Sequence, residues 1–143
     1  CGRPEEAEEL SQEGFVSAYR ALHQFRGEST FRSWLYRIFI NRHRDRRRSF
    51  HREEGRLLRV REEAVRRKPE PGDGVVHAGE LADLVRNKVE GLPERQREVL
   101  VLHLYHGLEY REIADVLGCT YDDVKVNLSL ARKRLKMELK DHL

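Results

Sequence analysis

Cysteine, metal-binding clusters and long hydrophobic runs are all scarce in this chain, and each scarcity removes a class of protein. The two cysteines among 143 residues, Cys1 and Cys119, stand in unrelated contexts. They offer neither a disulfide framework nor a metal-ligand spacing, so a reducing compartment, the cytoplasm, is expected, with Cys119 a small core residue. The seven histidines form no HExxH motif and no Cys/His cluster. His103 and His106 are a lone i, i+3 pair without a third ligand, which falls short of a metal site. No run approaches the roughly 18 apolar residues of a membrane span, and no signal peptide opens the chain, so a soluble protein is expected. Serines, histidines and carboxylates are scattered, with no nucleophile beside an acid/base partner. An enzyme is therefore not expected, nor a cofactor or a small-molecule substrate.

What is present is charge. Charged residues make up 37% of the chain against 38% hydrophobic, so any core is modest, and the length allows one domain or two small ones. The net charge of +3 conceals a sharp asymmetry. Between Arg3 and Glu13 one basic residue faces five acidic ones, whereas between Arg42 and Lys68 twelve basic residues face five acidic. Arginine supplies 22 of the 28 basic residues, which suits bidentate phosphate contacts and is equally what a GC-rich genome encodes.

The densest information lies between Phe25 and Arg48, FRGESTFRSWLYRIFINRHRDRRR. Gly27 marks a turn, Ser29 or Thr30 can cap the next helix, and Phe31, Trp34, Leu35 and Ile38 fall at i, i+3, i+4, i+7, predicting one buried stripe. The other faces carry Arg32, Tyr36, Arg37, Asn41, Arg44, Arg47 and Arg48, side chains able to pair phosphates, stack on bases and read base edges. Spacing alone leaves an ordinary amphipathic helix with solvated arginines equally open. Upstream, Pro4, Glu5 and Glu6 open a helix on which Phe15, Ala18, Tyr19 and Leu22 repeat the stripe, predicted to pack on the Phe31 to Ile38 helix. Residues 49–78 are the least globular, with a marginal helix expected through Leu57, Leu58, Val60, Ala64 and Val65, and PEPGDG from Pro69 to Gly74 as a linker. Beyond it four helices are predicted. The first carries Leu81, Leu84, Val85 and Val89, and the second runs from Glu94 to His106 with Val99, Leu100, Leu102 and Leu104. The third, Tyr110 to Leu117, has Ile113, Ala114 and Leu117 inward, and the fourth runs from a Thr120 cap to about Leu139. Short helix, glycine-containing turn and longer helix make a helix-turn-helix.

The pattern F-R-G-x-S-x-F-x-S-W-L-Y-R-I-x-x-N-x-x-x-D-x-x-R, from Phe25 to Arg48, resembles region 2.3/2.4 of the extracytoplasmic-function (ECF, group IV) sigma factors of the sigma-70 family. The resemblance implies that this segment separates promoter strands at the minus-10 element and holds a flipped base. Phe25, Arg26, Tyr36, Arg37, Asn41 and Arg44 would form the pocket and its phosphate clamp, with Arg48 beyond. Phe39, Arg42 and His43 depart from the usual pattern. The segment EELSQEGFVSAYRAL resembles region 2.2, which implies core RNA polymerase as partner through Glu9, Leu10, Gln12 and Glu13. A solvated acidic face is the plain alternative. Family members carry a further helix, region 2.1, ahead of this one, so the resemblance implies that the sequence given lacks it.

LPERQREVLVL, GLEYREIADVLGC and VKVNLSLARKRL resemble sigma region 4, which reads the minus-35 element. Arg111, Tyr121, Asp122, Lys125, Asn127, Ser129 and Arg132 are the candidates there, with Lys125 and Arg132 for phosphates and Asn127 for an adenine or a phosphate. Val126, Asn127 and Leu130 stand where small polar or basic residues are usual. The two elements lie about 25 base pairs apart, or roughly 85 Å, which a unit with a radius near ~10 Å cannot span but two modules on a linker can. The expected architecture is therefore all-α: a region 2 module over residues 1–50, a linker over 51–78 and a region 4 module over 79–143. The resemblance further implies an anti-sigma factor that covers both modules. The C-terminal half alone is also similar to the DNA-binding domain of LuxR-type regulators; the FRGESTFRSWLYRI stretch favours the sigma factor.

Overall fold

Pro4 at the first helical position and Glu5 and Glu6 in the first turn start α1, Pro4–Ala21, which tightens into a 3₁₀ turn at Leu22–Gln24. The computed structural model of the chain describes residues 3–58 and 78–142; the rest of the expected linker, with Val60, Ala64, Val65 and PEPGDG, lies outside the described residues. Gly27, at a φ of 74°, turns the chain. The Oγ1 of Thr30 then accepts the Ser33 N–H at 3.1 Å and caps α2, Phe31–Leu58. That helix runs on into the stretch expected as linker. The four C-terminal helices are α3 (Ala78–Glu90), α4 (Glu94–Leu104), α5 (Tyr110–Leu117) and α6 (Tyr121–Lys140), and no strand occurs among the described residues.

Local chemistry sets the C-terminal boundaries. Arg97 donates to the Glu90 and Leu92 carbonyls and ties the corner between α3 and α4. Glu109 and Glu112 form a capping box on α5, Gly118 ends that helix in the left-handed region, and Thr120 with Asp123 forms a second box on α6. The core lies almost wholly in these helices: Leu92, Val99, Leu100, Leu102, Leu108, Ile113, Val116, Leu117, Val124, Leu128 and Ala131 are buried together, with Cys119 packed at their edge. Leu104, expected among them, is exposed on the last turn of α4.

The first two helices are thinner. α1 does pack on α2, chiefly through Gly14 and through Ala18 of the stripe, which are buried, with Phe15 meeting the Phe39 ring at the edge of the contact. A β-carbon at Gly14 would overlap the Phe39 ring, so the glycine is what admits Phe39. Phe15, Tyr19 and Leu22 are exposed at 61%, 82% and 49%, and Phe31 at 50%; the expected stripes are therefore buried only in part. The physical reason is that the smallest residues let two helix backbones approach most closely, so the aromatics flank the contact instead of filling it.

The second departure is between the modules. Tyr36 and Ile40 of α2 pack against the C-terminal core, and α2 lies along α5. The two modules share a seam.

Candidate nucleic-acid interface

Three surfaces carry the residues that the sequence singles out. The first is the turn before α2. The rings of Phe25, Phe31 and Trp34 stand 5.3–5.6 Å apart, and Phe25 and Trp34 wall a recess of about 100 Å³ that Arg26, Glu28, Ser29 and Arg37 also line. Aromatic wall and guanidinium rim are the components of a stacking site for an unpaired base.

The second surface is the seam, and it takes up side chains expected beside that recess. Arg44 donates through Nε and Nη2 to the two carboxylate oxygens of Glu98 at 2.6 and 2.7 Å; Glu98 is only 4% exposed. Arg37 donates to the Asp115 carbonyl at 2.6 Å, and Arg32 to the His106 carbonyl at the same distance. The Tyr36 hydroxyl bonds His106 Nδ1 at 3.0 Å. Of the minus-10 candidates, Phe25, Arg26 and Arg37 thus meet at the recess, Tyr36 and Arg44 face the C-terminal module, and Asn41 and Arg48 are exposed.

Glu98 and His106 are the residues that sequence reasoning missed. A carboxylate next to Val99 and Leu100 carries no local signal that its partner lies 54 positions upstream. The seam also encloses a recess of about 550 Å³ walled by Leu10, Phe15, Leu35, Phe39, Ile40 and Val101. Leu10, expected on the polymerase-facing surface, turns inward here. Burial pushes the His43 pKa down to about 4, with Arg47 and Arg97 adding to the effect, and burial followed by Arg32 lowers that of His106.

On the outer side of α1, Glu9, Gln12 and Glu13 are exposed as expected. Arg46 of α2 reaches Glu9 at 2.5 Å and Glu13 at 3.8 Å, an exposed cluster worth little in stability and available to a partner. His103 and His106 do not act as a pair: His103 Nδ1 lies 3.0 Å from the Leu108 carbonyl, while His106 faces Tyr36.

The third surface is α6. Val124, Leu128 and Ala131 bury one face, and Asp122, Lys125, Ser129 and Arg132 stay exposed. Two further candidates make contacts of their own. Asn127 is half-buried, its Nδ2 donating to the Asp123 carbonyl of its own helix at 2.8 Å, and the Tyr121 ring rests against Tyr110 at 5.6 Å. Arg111 is exposed on α5. No helix among the described residues is long and apolar enough to cross a membrane.

Residues 1–53 match the family Sigma-70 region 2, and residues 82–135 match Sigma-70, region 4. The RNA polymerase sigma-H factor of Pseudomonas aeruginosa is 32% identical over 94% of this chain and 74% of its own length. The ECF RNA polymerase sigma-E factor of Escherichia coli is 32% identical over 89% and 70%. Among solved structures, the sigma factor RpoE of Bartonella quintana in complex with the anti-sigma factor NepR superposes with a TM-score of 0.69, at 25% identity over 98% of this chain and 84% of that one. CnrH in complex with the cytosolic domain of CnrY gives 0.68, at 28% identity over 97% and 74%. None of these matches supports the LuxR-type alternative. A region 2 module and a region 4 module in one chain, each recognised separately, place the protein in the sigma-70 family as an ECF sigma factor, an alternative sigma factor of RNA polymerase.

Proposed function

We propose that this sigma factor works by parting two modules that rest together. Core RNA polymerase docks on the acidic outer face of α1, at Glu9, Gln12 and Glu13. The recess of Phe25 and Arg26, joined by Tyr36, Arg37, Asn41, Arg44 and Arg48, holds the opened minus-10 strand. α6 reads the minus-35 duplex, with Lys125 and Arg132 on phosphates, Asp122 and Ser129 towards base edges, and Arg111 behind them. Polymerisation is the polymerase's chemistry, and the factor acts in the cytoplasm where that enzyme is. An anti-sigma factor covering both modules is the expected inhibitor; the RpoE relative is itself found in complex with an anti-sigma factor, NepR.

The observation that carries the two-state reading is that Tyr36, Arg37 and Arg44, three of the residues needed at minus-10, are engaged by the C-terminal module. Scale supports it: a compact chain of this length has a radius of gyration near ~15 Å, against roughly 85 Å between the two promoter elements. The modules cannot hold both elements while packed together.

Permanganate footprinting on a promoter opened by holoenzyme tests the residue roles. Tyr36→Ala should reduce thymine reactivity about tenfold, since one base stacked on an aromatic is worth roughly 1–3 kcal/mol, while minus-35 protection persists. Unaltered opening in both Tyr36→Ala and Asn41→Ala would remove α2 from that role.

A further inference from the structure

We infer that Val126 and Leu130 read the 5-methyl groups of thymines in duplex DNA, so that the upstream specificity of this factor is set largely by apolar contact. The inference rests on the reading of α6 as the duplex-binding helix and specifies what that helix recognises.

The placement follows from helix geometry. Val124, Leu128 and Ala131 define the buried face of α6. At 100° per residue Val126 stands nearly opposite that face, with Leu130 one turn further on. Both are exposed, at 55% and 42%. Four residues on a helix advance about 6 Å, close to two base-pair steps at ~3.4 Å each, so the pair can meet neighbouring base pairs in a major groove.

Two of the polar groups that could read this region already have partners. The Asn127 amide is tied to the Asp123 carbonyl, and Tyr121 lies against Tyr110. Near Val126 the outward line retains Asp122 and Ser129, while Lys125, Arg132 and Lys133 are exposed around it. The outward face therefore sets two aliphatic side chains among polar and mostly cationic neighbours. Thymine is the base that presents a methyl group in the major groove, and aliphatic side chains are its natural contacts.

Isolated exposed aliphatics are ordinary. Two branched ones in successive turns of the outward side are neighbours at i, i+4 and make one small apolar patch. This patch is far smaller than the roughly 800 Å² per partner of a stable protein interface, and Lys125, Arg132 and Lys133 near it suit phosphates.

The test uses holoenzyme assembled from this chain and core RNA polymerase. Duplexes are first enriched from a random library, and each thymine in the upstream motif is then replaced by deoxyuridine, which removes only the methyl. One or two neighbouring positions should show about a fourfold loss of affinity per methyl, the worth of one buried methyl(ene) group. Val126→Ala or Leu130→Ala should abolish the thymine-over-uracil preference at its own position while far-UV circular dichroism stays native. Lys125→Ala should instead lower affinity for all duplexes and reduce the salt dependence by about one phosphate contact.

If a motif is enriched and Lys125 behaves so, but no position distinguishes thymine from uracil, the methyl assignment falls and α6 remains the reader. A preference that persists unchanged in both aliphatic variants overturns it equally. If Val126→Ala weakens polymerase binding without touching the preference, the pair is a protein contact and the proposal is wrong. If no upstream motif is enriched at all, the reading of α6 falls and the inference with it.

Discussion

Gly14 and Phe39 show how one residue's size fixes a helix contact. The Phe39 ring occupies the space that a side chain at position 14 would need, and Phe15 meets the same ring edge-on at 5.2 Å. Gly14→Ala should therefore destabilise the α1–α2 contact by about 1–3 kcal/mol, although alanine is the better helix former. Combining it with Phe39→Leu should restore most of the loss, and thermal unfolding of the two single variants and the double variant measures the coupling. Additive losses would mean that the cost at position 14 does not come from the Phe39 ring.

The histidines make the seam pH-dependent. His43 and His106 both have pKa values lowered from 6.5, His43 to about 4, chiefly by burial and then by neighbouring positive charge. The packed state thus binds fewer protons than a state in which these rings are solvated. Its stability is fully present above about pH 6.5 and declines as pH falls from there towards 4. Small-angle scattering between pH 7.5 and 5 should record expansion on acidification, with His43→Gln and His106→Gln together removing most of the pH dependence. A radius of gyration constant over that range would show that the rings stay buried in every state.

At the scale of elements, the helix-turn-helix was legible because its signals are local. Gly118 stops α5 and Thr120 starts α6 by chemistry contained within a few residues, so the expected boundaries of α5 and α6 match the observed ones to within a residue or so. Thr120→Ala removes the cap acceptor for Asp123 N–H, at 3.1 Å, and should cost about 1 kcal/mol, seen as a fall of roughly 3 °C in Tm.

The α1 and α2 stripes were legible as stripes, but their depth of burial was not. A 3.6-residue period states that a helix has an apolar face and is silent about how much of that face a partner covers, as Phe15 and Tyr19 show. The same limit applies to Asn127. Its residue type suited base reading, yet an amide can equally bond the carbonyl one turn earlier on its own helix, as it does here.

For the whole molecule, the element least visible in the sequence is the seam. Arg44, Arg37 and Tyr36 look the same in a sequence whether they face DNA, water or another module. Only the fold brings Glu98, Asp115 and His106 to them. The Arg44–Glu98 pair is the most enclosed of these contacts, and removing one partner of a buried pair is costly because the other charge is left without compensation. Glu98→Gln should accordingly shift the free factor towards separated modules and raise its binding to a single-stranded minus-10 oligonucleotide at least several-fold. A matching rise in radius of gyration would distinguish opening from a purely electrostatic gain.

The separation of the modules before and after polymerase binding tests the account most directly. Donor and acceptor dyes placed at exposed Arg20 on α1 and Lys136 on α6, with Cys1 and Cys119 replaced, report it by single-molecule energy transfer. The account predicts one high-transfer population for the free factor, replaced on addition of core RNA polymerase by a low-transfer population with the modules drawn apart towards the roughly 85 Å spacing of the promoter elements. High transfer retained in a holoenzyme that initiates from discrete start sites would contradict it.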